Sequence, residues 1–182
     1  MCTLFVLLLT IIVQCCFLRV NNSTLKILWL YFNEYISSNG WWAFFDKLQN
    51  SAHALEEVNL IENDIDNEGA VAMATAFSNC GSLKMLLLGE NESIETAGWL
   101  SISNLLQSHN ASLVELNLWA NNIDDEASAA LANALLSSPS LKILNLGSNH
   151  LITTAGWRAL SMCFASLALE QLDLSLNSKC TI

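Results

Sequence analysis

The chain has 182 residues, 53% hydrophobic and 13% charged, with a single proline. That much apolar material excludes a disordered chain and suits one domain or one stack of repeats. The formal net charge of −10 opposes the phosphate backbone of nucleic acids, where affinity comes from lysine and arginine. It is compatible with a basic protein partner, and equally with acidity that simply keeps an apolar chain soluble.

The first element in chain order is an apolar segment, residues 1–20. Within it Thr3–Leu18 reads TLFVLLLTIIVQCCFL and carries no charge. Two readings stand open. The apolar length suits a signal peptide or membrane anchor, although no basic residue precedes it and no A-x-A-like cleavage site follows. As a helix, its 16 residues would span roughly 24 Å, short of the roughly 30 Å hydrocarbon core. The other reading is a capping segment, the back half of a truncated leading repeat. FLRVNNSTLKIL from Phe17 parallels LLQSHNASLVEL from Leu105. Membrane association would run only through this segment.

Residues 21–182 are expected to form one repeat domain. LKILWLYFN from Leu25, LEEVNLIEN from Leu55, LKMLLLGEN from Leu83, LVELNLWAN from Leu113, LKILNLGSN from Leu141 and LEQLDLSLN from Leu169 share one nine-place kernel, L-x-x-L-x-L-x-x-N, with a valine at one fourth place. The starts are 28 or 30 residues apart. Side chains alternate along a strand, so the fourth and sixth places face one side. They are Leu28/Leu30, Val58/Leu60, Leu86/Leu88, Leu116/Leu118, Leu144/Leu146 and Leu172/Leu174, the expected core.

After each of the first five kernels the spacing turns helical. Phe44/Leu48, Met73/Phe77, Ile102/Leu106, Leu131/Leu135 and Leu160/Phe164 each share a helix face that covers the strand layer. Gly40-Trp41, Gly98-Trp99 and Gly156-Trp157 recur every 58 residues, so two kinds of unit alternate. The three tryptophans are expected to pack between helices. The ninth-place asparagines, Asn33, Asn63, Asn91, Asn121, Asn149 and Asn177, are expected to stack. Their amides both donate and accept, and would satisfy backbone groups where each strand bends.

These kernels, the unit length, the helix in each unit and the alternation resemble the ribonuclease-inhibitor class of leucine-rich repeats over about Phe17–Asn177. The resemblance implies an α/β leucine-rich repeat solenoid: a short right-handed βα arc with parallel strands on the concave face and helices on the convex face. Its members bind proteins; others are the repeat domains of cytosolic immune receptors and the activator of the Ran GTPase. Six units, the last incomplete, make a short arc. The chain stops at Ile182 soon after a strand, which suggests a fragment of a longer array or an edge hidden in a partner.

Catalytic and metal chemistry find little footing. His53, His109 and His150 occupy unequal places, and no Ser/His/Asp order or phosphate-binding loop stands out. DIDNEG at Asp64–Gly69 begins like a calcium loop, but the required acid is Thr75. Asp64–Gly69 and Asp124–Glu126 fit better as acids at helix starts. Of the six cysteines, none forms a C-x-x-C pair, which leaves zinc unsupported. Cys80 and Cys163 lie three repeats apart, beyond disulfide reach. Unpaired thiols favour a cytoplasmic location over a membrane-anchored or secreted one. Sequons at Asn21, Asn22, Asn91 and Asn110 weigh little against this, because Asn91 holds a buried place.

Function is therefore expected on the concave face, at the third, fifth and seventh places. The candidate binding residues are Trp29, Tyr31, Glu57, Ile61, Leu87, Glu115, Trp119 and Asp173. Trp29, Tyr31 and Trp119 would anchor a partner, and Glu57, Glu115 and Asp173 would steer a basic one. Alternatively, residues 1–20 cover Trp29 and Tyr31. No cofactor, metal or nucleic acid is expected, and no enzyme activity.

Overall fold

The computed structural model describes residues 24–49, 52–109 and 112–177. Residues 1–20, Cys2, Cys15, Cys16, Cys180 and the sequons at Asn21, Asn22 and Asn110 lie outside them. Six three-residue strands form one parallel sheet in chain order: β1 (Ile27–Trp29), β2 (Glu57–Asn59), β3 (Met85–Leu87), β4 (Glu115–Asn117), β5 (Ile143–Asn145) and β6 (Gln171–Asp173). Each strand is the third to fifth places of its kernel. The register pairs like with like: Leu28, Val58, Leu86, Leu116, Leu144 and Leu172 face one another in turn.

Between the strands run α1 (Ser38–Leu48), α2 (Asn67–Phe77), α3 (Thr96–His109), α4 (Asp125–Leu135) and α5 (Thr154–Phe164). Each helix packs on its successor and each strand on the next. Packed helices sit roughly 8–10 Å apart and strands roughly 4.8 Å apart, so the strands take the inner, concave side.

The core lies between these layers. From β2 to β5 both inward places of every kernel are fully buried, as are Phe44/Leu48, Met73/Phe77, Ile102/Leu106 and Leu131/Leu135 from the helices. Trp41 and Trp99 are wholly enclosed, and each indole N–H finds a carbonyl, on Asn63 at 3.1 Å and Ile94 at 3.0 Å. Trp41 stacks on Phe45, whose ring meets Phe77 edge-on at 5.9 Å, so aromatics join α1 to α2. The ends depart from the expected pattern. Leu30, Phe164 and Trp157 are half-buried, and Leu172 and Leu174 remain 39% and 38% exposed. β6 has a strand neighbour on one side only, so these leucines lack the cover that the inner kernels receive.

The alternation of units has a physical basis in helix capping. Asp66 and Asp124 cap their own helices, accepting from Gly69 N at 2.9 Å and Ala127 N at 2.8 Å. These are the acids at helix starts read from the sequence, and each satisfies an otherwise orphaned first-turn donor. The Gly-Trp helix α1 is capped by its own Ser37 and α5 by its own Thr153, but α3 and α5 also receive caps sideways from the preceding unit. Asn67 Oδ1 accepts from Glu95 N and Gly98 N, both at 3.0 Å. Asp125 Oδ1 does the same for Thr153 N at 2.8 Å and Gly156 N at 2.9 Å. That close approach explains the glycines: a Cβ on Gly98 would lie 2.7 Å from Ile94 Cγ2 and 2.9 Å from Asn67 Oδ1.

Candidate interaction surface

Each strand ends in the same turn, and three features build it. First, the eighth-place residue is left-handed in every unit: Phe32 (φ 60°), Glu62 (55°), Glu90 (55°), Ala120 (50°), Ser148 (57°) and Leu176 (57°). None is a glycine, so each stores strain of about 1 kcal/mol. The conformation bends the chain toward the helix while keeping the ladder intact. Glu90 N still donates to Trp119 O at 2.9 Å, and Ala120 N to Gly147 O at 2.9 Å.

Second, the ninth-place asparagines stack as expected. Asn121 Oδ1 accepts from Asn91 N at 2.9 Å, and its Nδ2 donates to the carbonyls of Leu88, Leu118 and Trp119 at 3.1, 3.0 and 3.2 Å. The Oδ1-to-neighbour contact recurs for Asn33–Asn63 and Asn149–Asn177, again every second unit. Asn149 Oδ1 is buried without a hydrogen-bond partner among the described residues, and nothing in the structure explains it.

Third, the fifth place is structural where its residue is polar. Asn59, Asn117 and Asn145 each accept from the backbone N–H two residues on, at 2.9–3.1 Å. Asp173 belongs to this set: its Oδ1 accepts from Ser175 N at 2.9 Å. That hydrogen bond holds its carboxyl below the usual carboxylate range. One oxygen of Asp173 thus closes a turn while the carboxylate stays anionic.

The remaining candidates lie on the concave face. Trp29 and Tyr31 are 57% and 50% exposed, whereas Glu57, Ile61, Leu87, Glu115 and Trp119 are half-buried. Trp29 shares a cross-strand row with Asn59 and Leu87, and Glu57 a row with Met85 and Glu115. Trp119 occupies a slot between two glycines. A Cβ on Gly147 would meet its Cδ1 at 2.9 Å, and one on Gly89 its backbone oxygen at 3.2 Å. The three aromatic anchors fall in two groups. Trp29 and Tyr31 sit at β1 and Trp119 at β4, three strand spacings or roughly 14 Å away.

Sequence reasoning missed the residues just beyond the seventh place. Phe32 and Tyr35 are 65% and 63% exposed. Next to them Glu34, Tyr35, Glu62, Asp64, Glu90 and Glu92 line a depression of about 560 Å³ at the strand ends. Desolvation, with Glu62 and Glu92 nearby, pushes the Glu90 carboxyl above its usual range. The signal was present: Glu62 and Glu90 share the eighth place, and Glu34, Asp64 and Glu92 the tenth. At the opposite edge, two lysines neutralise the acid. Glu56 lies 2.5 Å from Lys26 and 2.6 Å from Lys84, and hydrogen bonds from both hold its carboxyl down at about 2.

Among the described residues no cluster of His, Cys, Asp or Glu is placed to hold a metal ion. Cys80 and Cys163 are free and buried, and burial raises both thiols, that of Cys163 to about 11. Among the described residues no helix is long and apolar enough to cross a membrane.

Comparison with known proteins agrees with this geometry. Residues 52–74, 109–132 and 137–161 match the model of the leucine-rich repeat family. The chain is 32% identical over 158 residues to ribonuclease inhibitor of Sus scrofa, covering 85% of this chain and 34% of the relative. It is 29% identical over 107 residues to RAN GTPase-activating protein 2 of Arabidopsis thaliana, covering 59% of this chain and 19% of the relative. The chain thus spans about a third or less of the length of these relatives. Among solved structures it is similar to leiomodin-1 actin-binding site 2 (TM-score 0.62, 17% identity, 82% of this chain and 86% of that one). It is also similar to the tropomodulin C-terminal domain of Caenorhabditis elegans (TM-score 0.62, 18% identity, 74% and 81%). At that identity the likeness speaks for the fold alone.

The chain is a leucine-rich repeat protein of the ribonuclease-inhibitor-like class. Within that class its described residues form an α/β solenoid of six strands and alternating helices.

Proposed function

We propose that the protein is a non-enzymatic interaction module whose concave strand face docks a protein partner. One observation carries this reading. All-parallel sheets are ordinarily covered on both faces, yet here helices cover one face while Trp29, Tyr31, Ile61, Leu87 and Trp119 are left partly or largely open on the other. Trp119 anchors the middle of the face, and Glu57 and Glu115 flank it and favour a basic partner. Proteins captured from cell extract by the wild-type chain should be lost with Trp119→Ala/Glu115→Lys, whose circular dichroism remains native. Recovery of the same proteins by both would remove the concave face from the account.

A second reading, regulation of a small GTPase, draws on the match to RAN GTPase-activating protein 2. It requires that the purified chain accelerate GTP hydrolysis by a GTP-loaded Ran-type GTPase; unchanged hydrolysis would dismiss it. We place the protein in a reducing compartment, the cytoplasm, because Cys80 and Cys163 are unpaired thiols. Fractionation of the full chain and of one starting at Asn21 tests this. Recovery of the full chain with membranes would contradict it.

A further inference from the structure

We propose that the strand-end rim of the first three units docks an arginine-rich extended segment of the partner protein. This rests on the reading of the chain as an interaction module, but it concerns a different surface from the strand face.

The apolar part of the rim is the aromatic group Tyr31, Phe32 and Tyr35, each at least half exposed. Tyr31 and Phe32 meet edge-on with centroids 5.6 Å apart, which holds two rings together at the edge of the sheet. Beside them run two rows of acids set by the repeat itself. Glu62 and Glu90 follow Phe32 at the left-handed eighth place, and Glu34, Asp64 and Glu92 occupy the tenth. Strand spacing puts successive members of a row roughly 5 Å apart. The rows end at the fourth unit, where Ala120 and Asn122 hold the same places, so the acidic stretch coincides with the units nearest the aromatics.

Charge complementarity names the occupant. The connections 30–37, 60–66, 88–95 and 118–124 contain eight acids and no lysine or arginine. The described cations lie elsewhere: Lys26 and Lys84 pair with Glu56, Lys47 with Asp46 and Lys142 with Glu170, and Arg158 sits on α5, beyond the rim units. Neutralisation of the rim within the described residues is therefore not on offer, and desolvation, followed by the nearby Glu62 and Glu92, raises the Glu90 carboxyl. The acids are not gathered around one point that would hold a metal ion. They are strung along three units, which suits a row of separate cations on one extended chain. Guanidinium groups fit better than ammonium groups, because they pair with carboxylates in a fork and also stack on the exposed tyrosine and phenylalanine rings.

The test is fluorescence anisotropy of a fluorescein-labelled octapeptide of alternating arginine and glycine, titrated with the purified full chain. Glu62→Gln/Glu90→Gln/Glu92→Gln should weaken binding roughly tenfold. Phe32→Ala/Tyr35→Ala, which leaves the charge unchanged, should weaken it about fivefold. Asp46→Asn/Glu126→Gln/Glu170→Gln removes the same formal charge away from the rim and should stay within about twofold. Equal weakening by the two charge-removing triples would mean attraction by net charge alone and would overturn the proposal. So would an aromatic pair that binds like wild type, or wild-type protein that does not bind the peptide. If the rim variants fail to discriminate while Trp119→Ala/Glu115→Lys still loses its captured partners, only the rim assignment falls.

Discussion

Replacing Asn121 by leucine tests the turn that every unit shares. The structure lets the cost be divided bond by bond. Of the three carbonyls that Asn121 Nδ2 reaches, each keeps another donor: Leu88 O retains Asn91 Nδ2 at 3.0 Å, Leu118 O retains Asn149 Nδ2 at 3.0 Å, and Trp119 O retains Glu90 N at 2.9 Å. The N–H of Asn91 is different. It donates to Asn121 Oδ1, and both asparagines are buried. Orphaning that donor costs about 1–3 kcal/mol, and the lost bonds to the carbonyls bring the total to about 3 kcal/mol. For a chain of this size the melting temperature should fall by roughly 6–12 °C. Asn33→Leu is the internal control. Asn33 is half-buried at the first strand, whereas Asn121 is buried between units, so the loss of Asn33 should cost about 1 kcal/mol. Thermal unfolding followed by far-ultraviolet circular dichroism measures both. Equal losses, or a loss below about 1 kcal/mol for Asn121→Leu, would refute the bond-by-bond reasoning.

Four further outcomes follow from the backbone and charge geometry. Gly98→Ala pushes a Cβ to within 2.7 Å of Ile94 and 2.9 Å of Asn67 and should destabilise by about 1–3 kcal/mol. Gly81→Ala meets nothing within 4 Å and should be neutral or gain about 0.5 kcal/mol in the same melt. Glu56 has a folded-state pKa of about 2, below its ordinary value, so its pairing stabilises the fold at neutral pH and is lost as pH falls toward 2. Urea midpoints across that range should therefore fall less steeply for Glu56→Gln than for wild type. Glu90 has the opposite sign. A raised carboxyl favours the fold when protonated and loses that contribution as pH rises through the folded pKa, so Glu90→Gln should raise the urea midpoint at pH 7 and not at pH 4.

The sheet, its register and its core were legible because six kernels repeat the same apolar places, and a parallel stack pairs each place with its copy. Leu172 and Leu174 broke the pattern because burial depends on a neighbour as well as on the residue, and β6 has one on a single side. The eighth-place turn was hidden for a different reason. Phe32, Glu62, Glu90, Ala120, Ser148 and Leu176 share no chemistry and include no glycine, so only backbone geometry unites them. The fifth-place role escaped for lack of contrast. An asparagine on an outward place reads as a surface residue until its oxygen is found on the backbone two residues on, as for Asn117 and Trp119. The sideways caps from Asn67 and Asp125 join residues 28–31 apart, a distance that no local pattern reports. For the interaction surface, the strand face was legible as a list of outward places. Its division into two aromatic patches, and the rim beyond it, needed the register in three dimensions.

Site-specific photo-crosslinking addresses the strand face most directly. A p-benzoylphenylalanine placed at Leu87, at the centre of the open face, is compared with one at Ala129, on the exposed side of α4. With both proteins natively folded and irradiated in cell extract, the Leu87 probe should give discrete adducts that Trp119→Ala/Glu115→Lys abolishes, and the Ala129 probe should give none. Adducts at Ala129 alone, or adducts at Leu87 that survive those two substitutions, would contradict a docking site on the concave strand face.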